Sequence, residues 1–465
     1  MKAVLGKVAA ALAVAVLLGG FARALSGAAA GQLERWTCDQ SPLLVRNARV
    51  WSPAGIRAPR DIWIQDGVIR RIEPPGQSRG RGMRTIDAEG TTVLPGLVDA
   101  HVHLDTLPGP LPATVAMSRE QMISIAARQT LMSGVTAARM HLADQTSGPT
   151  LAREAGSPCF AGPSLTMGGP GLMGGAPTVS SRLMRGVSDP DHGRRLVRDA
   201  ARLGFRWLAL HDSHRFEPET LRAIVDEARR GKIRLMMSAD SFSDIETALQ
   251  HGADSLEYLD RTTASAYPVA LLKALTERRQ RVVLVAPIGY YTRFRTYRDS
   301  PSAVNQPEHV QFYPPDIAER FLRALQHEFE TGVENDIDRS YGTLASKFGQ
   351  LRATGALMAI GSDSGSPGQF HIDAIWHEMR AWRALGVSAA DIVMAATTTS
   401  ASLTEGTTAT LTAGDRADLI LYRGDVLDGS FDRARVRTVV KRGIVFVNEY
   451  RWVGPEETRP HVRQE

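Results

Sequence analysis

The stretch VLPGLVDAHVHLD, residues 93–105, is the most informative part of this chain. Its first residues are apolar and β-prone, which predicts a buried strand near 93–99 with a Pro-Gly step inside it. Side chains at positions i and i+2 share one face of a strand, so His101 and His103 point together at its C-terminal end. Neutral imidazole is a common ligand of zinc and similar divalent ions, so the pair predicts half of a metal site. The alternative is two buried or loop histidines that bind no metal.

Strand and helix signals alternate through the middle of the chain, which is typical of a parallel α/β sheet. Strands are predicted near 93–99, 134–140, 158–162, 205–211, 233–238, 253–258, 281–286 and 356–361. Helices are predicted near 119–132, 189–203, 217–231, 241–251, 268–279 and 371–385. Eight strands with intervening helices favour a (β/α)8 TIM barrel, whose active site lies at the C-terminal ends of the strands.

Two insertions, 163–188 and 287–355, interrupt this alternation and are predicted to be lids over the site, with a packed loop as the alternative for the first. The first contains the glycine-rich run 166–178, which lacks the glycine spacing and the lysine of a phosphate loop. The second carries a predicted helix near 316–330 and the run YYTRFRTYR, residues 290–298. Arginines in that run could pair with a carboxylate substrate. The alternative is a solvated loop with its aromatic side chains packed beneath it.

The first 30 residues have the order of an export signal. Two lysines, Lys2 and Lys7, precede a short apolar run, and small residues before Ala24 and Ala30 offer two cleavage sites. An uncleaved membrane anchor is the alternative, but the apolar run is short for a span. We therefore expect residues 1–30 to be a signal peptide. The mature protein is then periplasmic or secreted and has no stable membrane span.

Charge and cysteine content narrow the range of partners. Removing the signal segment takes away three cations and no acid, which lowers the formal net charge from +5 to +2. This balance, without a recognisable binding motif, argues against a nucleic-acid partner and leaves a small-molecule substrate as the expected one.

An oxidising compartment would permit a disulfide between the only cysteines, Cys38 and Cys159. A weaker alternative is that Cys159 is a metal ligand. The sequence permits a homo-oligomer and does not determine the oligomeric state.

These segments resemble the amidohydrolase superfamily, which comprises metal-dependent hydrolases built on a (β/α)8 barrel. The general pattern looks most like the imidazolonepropionase and prolidase-like members. The resemblance implies a barrel over residues 91–404 and a small β-sandwich built from 40–90 and 405–450. Besides residues 93–105, it rests on KIRLMMSADSFSDIETALQHGADSLEYLD (232–260), ALMAIGSDSGSPG (356–368), TLTAGDRADLILYRGD (410–425) and RVRTVVKRGIVFVN (435–448).

The resemblance also implies a reduced metal site. The family's bridging lysine falls on Ala209, its strand-five histidine on Ser238 and its strand-six histidine on Tyr258. The usual two-metal site therefore cannot form, and we predict at most one divalent ion, with zinc favoured. Its ligands would be His101, His103 and Asp363.

Asp363 matches the family's strand-eight aspartate, which touches metal and acts as the base. A turn or capping carboxylate is the alternative for this residue. His211 lies two residues after Ala209, and Asp240 takes the second position of the family's strand-five His-Ala-His. Each is a candidate to touch metal or substrate, with a polar rim residue as the alternative.

Tyr258 takes the place of the strand-six histidine, but a phenol with a pKa of about 10 is a poor metal ligand while protonated. It either donates a hydrogen bond to a developing oxyanion or fills the space left by the missing histidine.

The leading hypothesis is an exported hydrolase that cleaves an amide or other C–N bond of a small substrate with one metal ion. Its candidate catalytic residues are Asp363, His211, Asp240 and Tyr258. One alternative is an enzyme with a redesigned, metal-free site that acts as a lyase, isomerase or cyclase. Another is a non-catalytic binding protein that uses the barrel mouth as a pocket.

Overall fold

The structure is a computed structural model, and it describes only part of the chain. The described residues are 38–77, 82–109, 117–176, 180–259, 264–331 and 337–454. The predicted signal peptide lies outside them. No helix within these residues is long and apolar enough to cross a membrane.

The first and last strands of the described chain share one ten-stranded sheet, in which Leu419–Arg423 pairs antiparallel with Thr91–Pro95. Asp66 and Gly67 form the hairpin turn between Arg60–Gln65 and Val68–Glu73, both with positive φ, as a type I′ turn requires. The two terminal segments therefore meet as expected, while their packing as a sandwich stays a prediction. The strands are β1 Leu43–Ser52, β2 Gly55–Ile56, β3 Arg60–Gln65, β4 Val68–Glu73, β5 Arg84–Asp87, β6 Thr91–Pro95, β17 Leu419–Arg423, β18 Val436–Lys441, β19 Ile444–Asn448 and β20 Arg451–Trp452.

Ten further strands are paired in parallel, which confirms the α/β class. They are β7 Leu97–Val102, β8 Val135–Met140, β9 Ser164–Met167, β10 Gly171–Met173, β11 Met184–Gly186, β12 Trp207–His211, β13 Arg234–Ser238, β14 Ser255–Glu257, β15 Val283–Val285 and β16 Leu357–Ala359. They form two sheets, β7-β8-β9 and β11-β10-β12-β13-β14-β15-β16. Parallel bridges link Val102 to Ser364 and Gly168 to Trp207, between these two sheets. These links are those a (β/α)8 barrel needs, and its full closure stays a prediction.

Gly96 divides the predicted strand 93–99 in two. The strand β6 ends at Pro95 in the outer sheet, and β7 begins at Leu97 in the parallel one. A Cβ atom at Gly96 would lie 2.0 Å from the Thr136 hydroxyl, so only glycine permits this close crossing. As a result His101 lies inside β7, and His103 lies just past its end.

The six predicted helices all form, with ends shifted by at most three residues. The first is fixed by a capping box, in which Ser118 and Gln121 bond reciprocally to each other's backbone. The helices are α1 Arg119–Met132, α2 Gly148–Ala155, α3 Pro190–Arg202, α4 Pro218–Gly231, α5 Phe242–His251, α6 Val269–Glu277, α7 Ile288–Asp299, α8 Pro315–Thr331, α9 Ile337–Ala353, α10 Ala374–Ala384 and α11 Ala389–Met394.

The predicted third strand, 158–162, is wrong, because the strand is β9, a few residues later. The buried ammonium of Lys441 bonds the carbonyl oxygens of Phe160 and Gly162, at 2.5 and 2.6 Å. Those carbonyls therefore pair with a side chain rather than with a neighbouring strand. Cys159 forms a disulfide with Cys38, their Cα atoms 5.4 Å apart. The disulfide excludes the alternative that Cys159 is a metal ligand.

The two insertions contain more secondary structure than the sequence predicts. The first contains β10 and β11, apart from residues 177–179, which lie outside the description. In the second, YYTRFRTYR lies in the helix α7 and is not a loop. Arg293 in that helix is buried and pairs with both carboxylate oxygens of Asp373, at 2.8 and 2.7 Å, so its charge is used inside the protein. That either insertion acts as a lid stays a prediction.

Candidate metal centre

Three side chains converge at the C-terminal ends of the parallel strands. The Nε2 atoms of His101 and His103 are 3.3 Å apart. Oδ1 of Asp363 lies 3.5 Å from the first and 3.1 Å from the second. Donors at about 2.0–2.2 Å from a tetrahedral zinc ion are roughly 3.4 Å from one another. The spacing of these three atoms therefore fits one ion of that size.

Backbone contacts between β7 and the turn after β16 set this geometry. The N–H of Asp363 donates to the carbonyl of His101 at 3.0 Å, and the N–H of His103 donates to the carbonyl of Ser364 at 2.8 Å. The carboxylate of Asp99 accepts hydrogen bonds from the Ser362 hydroxyl and from the backbone N–H groups of Ser362 and His101. Burial raises the pKa of Asp99 to about 6, despite those bonds. The ligands are thus held by a preformed turn.

Glu257 contacts the imidazole of His101, and Arg139 in turn pairs with Glu257. Nδ1 of His101 lies 2.8 Å from Oε2 of Glu257, and Nη2 of Arg139 lies 2.6 Å from the other carboxylate oxygen. Burial alone would raise the pKa of Glu257, but the Arg139 charge and the His101 hydrogen bond outweigh it and hold the pKa at about 2. The ionised carboxylate fixes the proton of His101 on Nδ1, which leaves Nε2 free to bind a metal.

His141 is a candidate site residue that sequence reasoning missed. It follows β8 directly and is 1% exposed, with its ring stacked on that of His101 at 4.1 Å between centroids. Neither ring nitrogen has a hydrogen-bond partner among the described residues. Burial, reinforced by the surrounding imidazoles, lowers the pKa of His141 well below its usual value, so the ring is neutral. The available signal was its place directly after the predicted strand 134–140.

The other predicted candidates take different places. The hydroxyl of Tyr258 lies 2.9 Å from Nε2 of His101 and 3.3 Å from Oδ1 of Asp363, at the centre of the site. His211 lies beside His141, at 5.6 Å between ring centroids, and its Nδ1 is 2.9 Å from the Ser238 hydroxyl. Asp240 is partly buried and belongs to neither described group that could hold a metal. Those groups are His101, His103 and Asp363, and His101, His141 and Glu257.

Similarity to curated proteins is confined to a short stretch. An adenine deaminase from Chelativorans sp. (strain BNC1) is 38% identical over 66 residues, which are 14% of this chain and 11% of that protein. A dihydroorotase from Streptococcus pneumoniae serotype 4 (strain ATCC BAA-334 / TIGR4) is 45% identical over 62 residues, 13% of this chain and 14% of that protein. The chain thus matches only a small part of the length of these relatives.

Similarity in fold extends over most of the chain. A Xaa-Pro dipeptidase with bound methionine in its active site superposes with a TM-score of 0.67 and 19% identity, covering 88% of this chain and 100% of that one. An ochratoxinase from A. niger gives a TM-score of 0.67 at 17% identity, covering 90% and 99%. At this level of identity the likeness shows the fold alone. The model of the amidohydrolase family matches residues 92–445, and the chain belongs to that family.

Proposed function

We propose that this protein is a metal-dependent hydrolase that cleaves an amide or related C–N bond of a small molecule. The observation that carries the proposal is the convergence of His101, His103 and Asp363 at spacings that fit one ion. Membership of the amidohydrolase family supports it. So do the activities of similar proteins, among them a dihydroorotase and a Xaa-Pro dipeptidase.

Each residue of the site has a separate role in the proposed hydrolysis. A divalent ion held by the two histidines and the aspartate would acidify water and polarise the scissile carbonyl. Asp363 would accept the proton that the attacking water loses, as a general base. Glu257 keeps His101 in the tautomer that can bind the ion. His141, neutral and close to these residues, would offer a hydrogen bond to the substrate.

Metal content is the first test. We expect purified protein to hold at most one zinc or similar ion per chain by elemental analysis, because Ala209 and Ser238 replace the residues that hold a second. His101→Ala should lose the ion, while a His327→Ala control on the exposed face of α8 should keep it. Two tightly held ions would contradict the single site. Turnover without any ion would favour a metal-free lyase, isomerase or cyclase, and ligand binding without ion or turnover would favour a binding protein.

We also propose that the protein is exported to the periplasm or secreted. The amino-terminal pattern carries this proposal, and a disulfide between Cys38 and Cys159 is compatible with an oxidising compartment. When the full chain is expressed in a bacterial host, the exported protein should begin after Ala24 or Ala30. A Leu17→Arg control, which breaks the apolar run, should keep Met1 and stay in the cytoplasm. Wild-type protein with an intact Met1 in the soluble cytoplasmic fraction would refute export.

A further inference from the structure

We propose that Tyr258 is a metal ligand, binding the ion as a phenolate beside His101, His103 and Asp363. This inference rests on the proposed metal site and adds the fourth donor to it. It replaces the two roles that the sequence suggests for this residue, those of an oxyanion donor and a space filler.

The distances among the four donor atoms carry the proposal. Oη of Tyr258 is 2.9 Å from Nε2 of His101 and 3.3 Å from Oδ1 of Asp363. The other three donors are separated from one another by 3.3, 3.5 and 3.1 Å. A tetrahedral shell with bonds of about 2.0–2.2 Å has edges of roughly 3.4 Å. Both distances from the phenol oxygen therefore fall near the edge length of such a shell, as expected of a fourth donor.

The backbone holds Tyr258 in this place. Its φ is 59°, in the left-handed region, which is strained for a non-glycine residue and persists where the surroundings enforce it. Its N–H still donates to the carbonyl of Val285, at 3.1 Å, so the parallel pairing continues through this residue. Its side chain is 6% exposed and meets the ring of His101 edge-on, at 4.9 Å between centroids. The phenol is thus a fixed part of the site.

Hydrogen bonding indicates what happens when an ion enters. Glu257 keeps the His101 proton on Nδ1, so the Tyr258 hydroxyl has two acceptors, Nε2 of His101 and Oδ1 of Asp363. An ion bound by these two atoms would take the lone pairs to which the phenol donates. Coordination replaces the phenol O–H bond with an O–metal bond, and the proton passes to solvent. A bound cation favours the deprotonated form of its ligands, which removes the objection that phenol is a poor ligand.

Four protein donors would close a tetrahedral shell. The attacking water and the substrate must then bind by expanding the shell, as zinc sites allow, or take the place of the phenolate. Activity alone cannot separate these two routes from an ordinary hydrogen-bonding tyrosine. The decisive measurement is therefore spectroscopic.

Copper(II) is the probe, because it binds nitrogen and oxygen sites strongly and a phenolate ligand gives it a visible charge-transfer band. We expect this band in the copper-loaded wild-type protein. Tyr258→Phe should lose the band while retaining copper by elemental analysis. Tyr258→His, which keeps a donor without a phenol, should also lose it. Tyr267→Phe is the matched control and should keep it, because that hydroxyl donates to the carbonyl of Leu259.

The outcomes separate this inference from the proposed function. Copper bound without the band in the wild type, or a band that survives in Tyr258→Phe or Tyr258→His, would overturn ligation by Tyr258 and leave the metal site intact. Wild-type protein that holds neither copper nor zinc would overturn the metal site itself, and the ligation with it.

Discussion

Replacing Asp363 with asparagine is expected to lower turnover by about 10²–10⁴-fold, the usual loss on removing a general base. Asparagine has nearly the same shape, and the backbone bond from residue 363 to the carbonyl of His101 remains, so the variant should fold. The amide cannot accept the proton of the attacking water, and it is a weaker metal ligand than a carboxylate. The measurement is kcat for a small cyclic amide or dipeptide that the wild-type protein cleaves.

Two controls make this result interpretable. Asp226→Asn changes a carboxylate in an exposed ion pair with Arg229 and should leave kcat unchanged. Elemental analysis of Asp363→Asn shows whether the loss comes from the base or from a missing ion. Near-native turnover would mean that the Asp363 carboxylate is idle. The metal-free enzyme would then become the stronger hypothesis, and His141, His211, Asp240 and Tyr258 would be the next residues to replace.

His101 and His103 were predictable from the sequence because the reasoning that selects them is local, whereas Asp363 was predicted from the family resemblance. His101 and His103 are two residues apart on one strand, so alternation alone places them on the same face. Asp363 follows the last predicted strand, which in a parallel barrel lies beside the first. The helices were predictable for a similar reason, since apolar periodicity and end signals lie within each segment.

Residues whose role depends on distant partners were not predictable. Glu257 contacts His101, and Arg139 contacts Glu257, only because parallel strands far apart in sequence align in one register. The sequence offered only a weak sign, namely Arg139 within a largely apolar strand. The error at 158–162 has the same origin, because a short apolar run resembles a strand until Lys441 is known to occupy its carbonyls.

Replacing Arg139 with methionine is expected to lower the free energy of unfolding by about 3–5 kcal/mol, as when a buried ion pair loses one partner. Both side chains of the pair are fully buried, and methionine preserves much of the apolar stem of Arg139. Burial raises the pKa of Glu257, and the Arg139 charge is the largest of the contributions that nevertheless lower it from 4.5 to about 2.

The pH dependence of this loss follows from the direction of the Glu257 shift. A carboxyl group whose pKa is depressed in the folded state contributes stability above its unfolded value, and that stability is lost as the pH falls through its folded value. The difference in unfolding free energy between wild type and Arg139→Met should therefore be full near pH 7 and shrink between about pH 4.5 and pH 2. Urea titrations at a series of pH values measure it.

Arg70→Met, in an exposed pair with Asp66, is the control and should change the free energy of unfolding by less than about 0.5 kcal/mol. Adding Glu257→Gln to Arg139→Met removes the unpaired charge and should recover part of the loss. Equal destabilisation at every pH, without such recovery, would mean that Arg139 stabilises the core by packing on Trp207 rather than by neutralising Glu257.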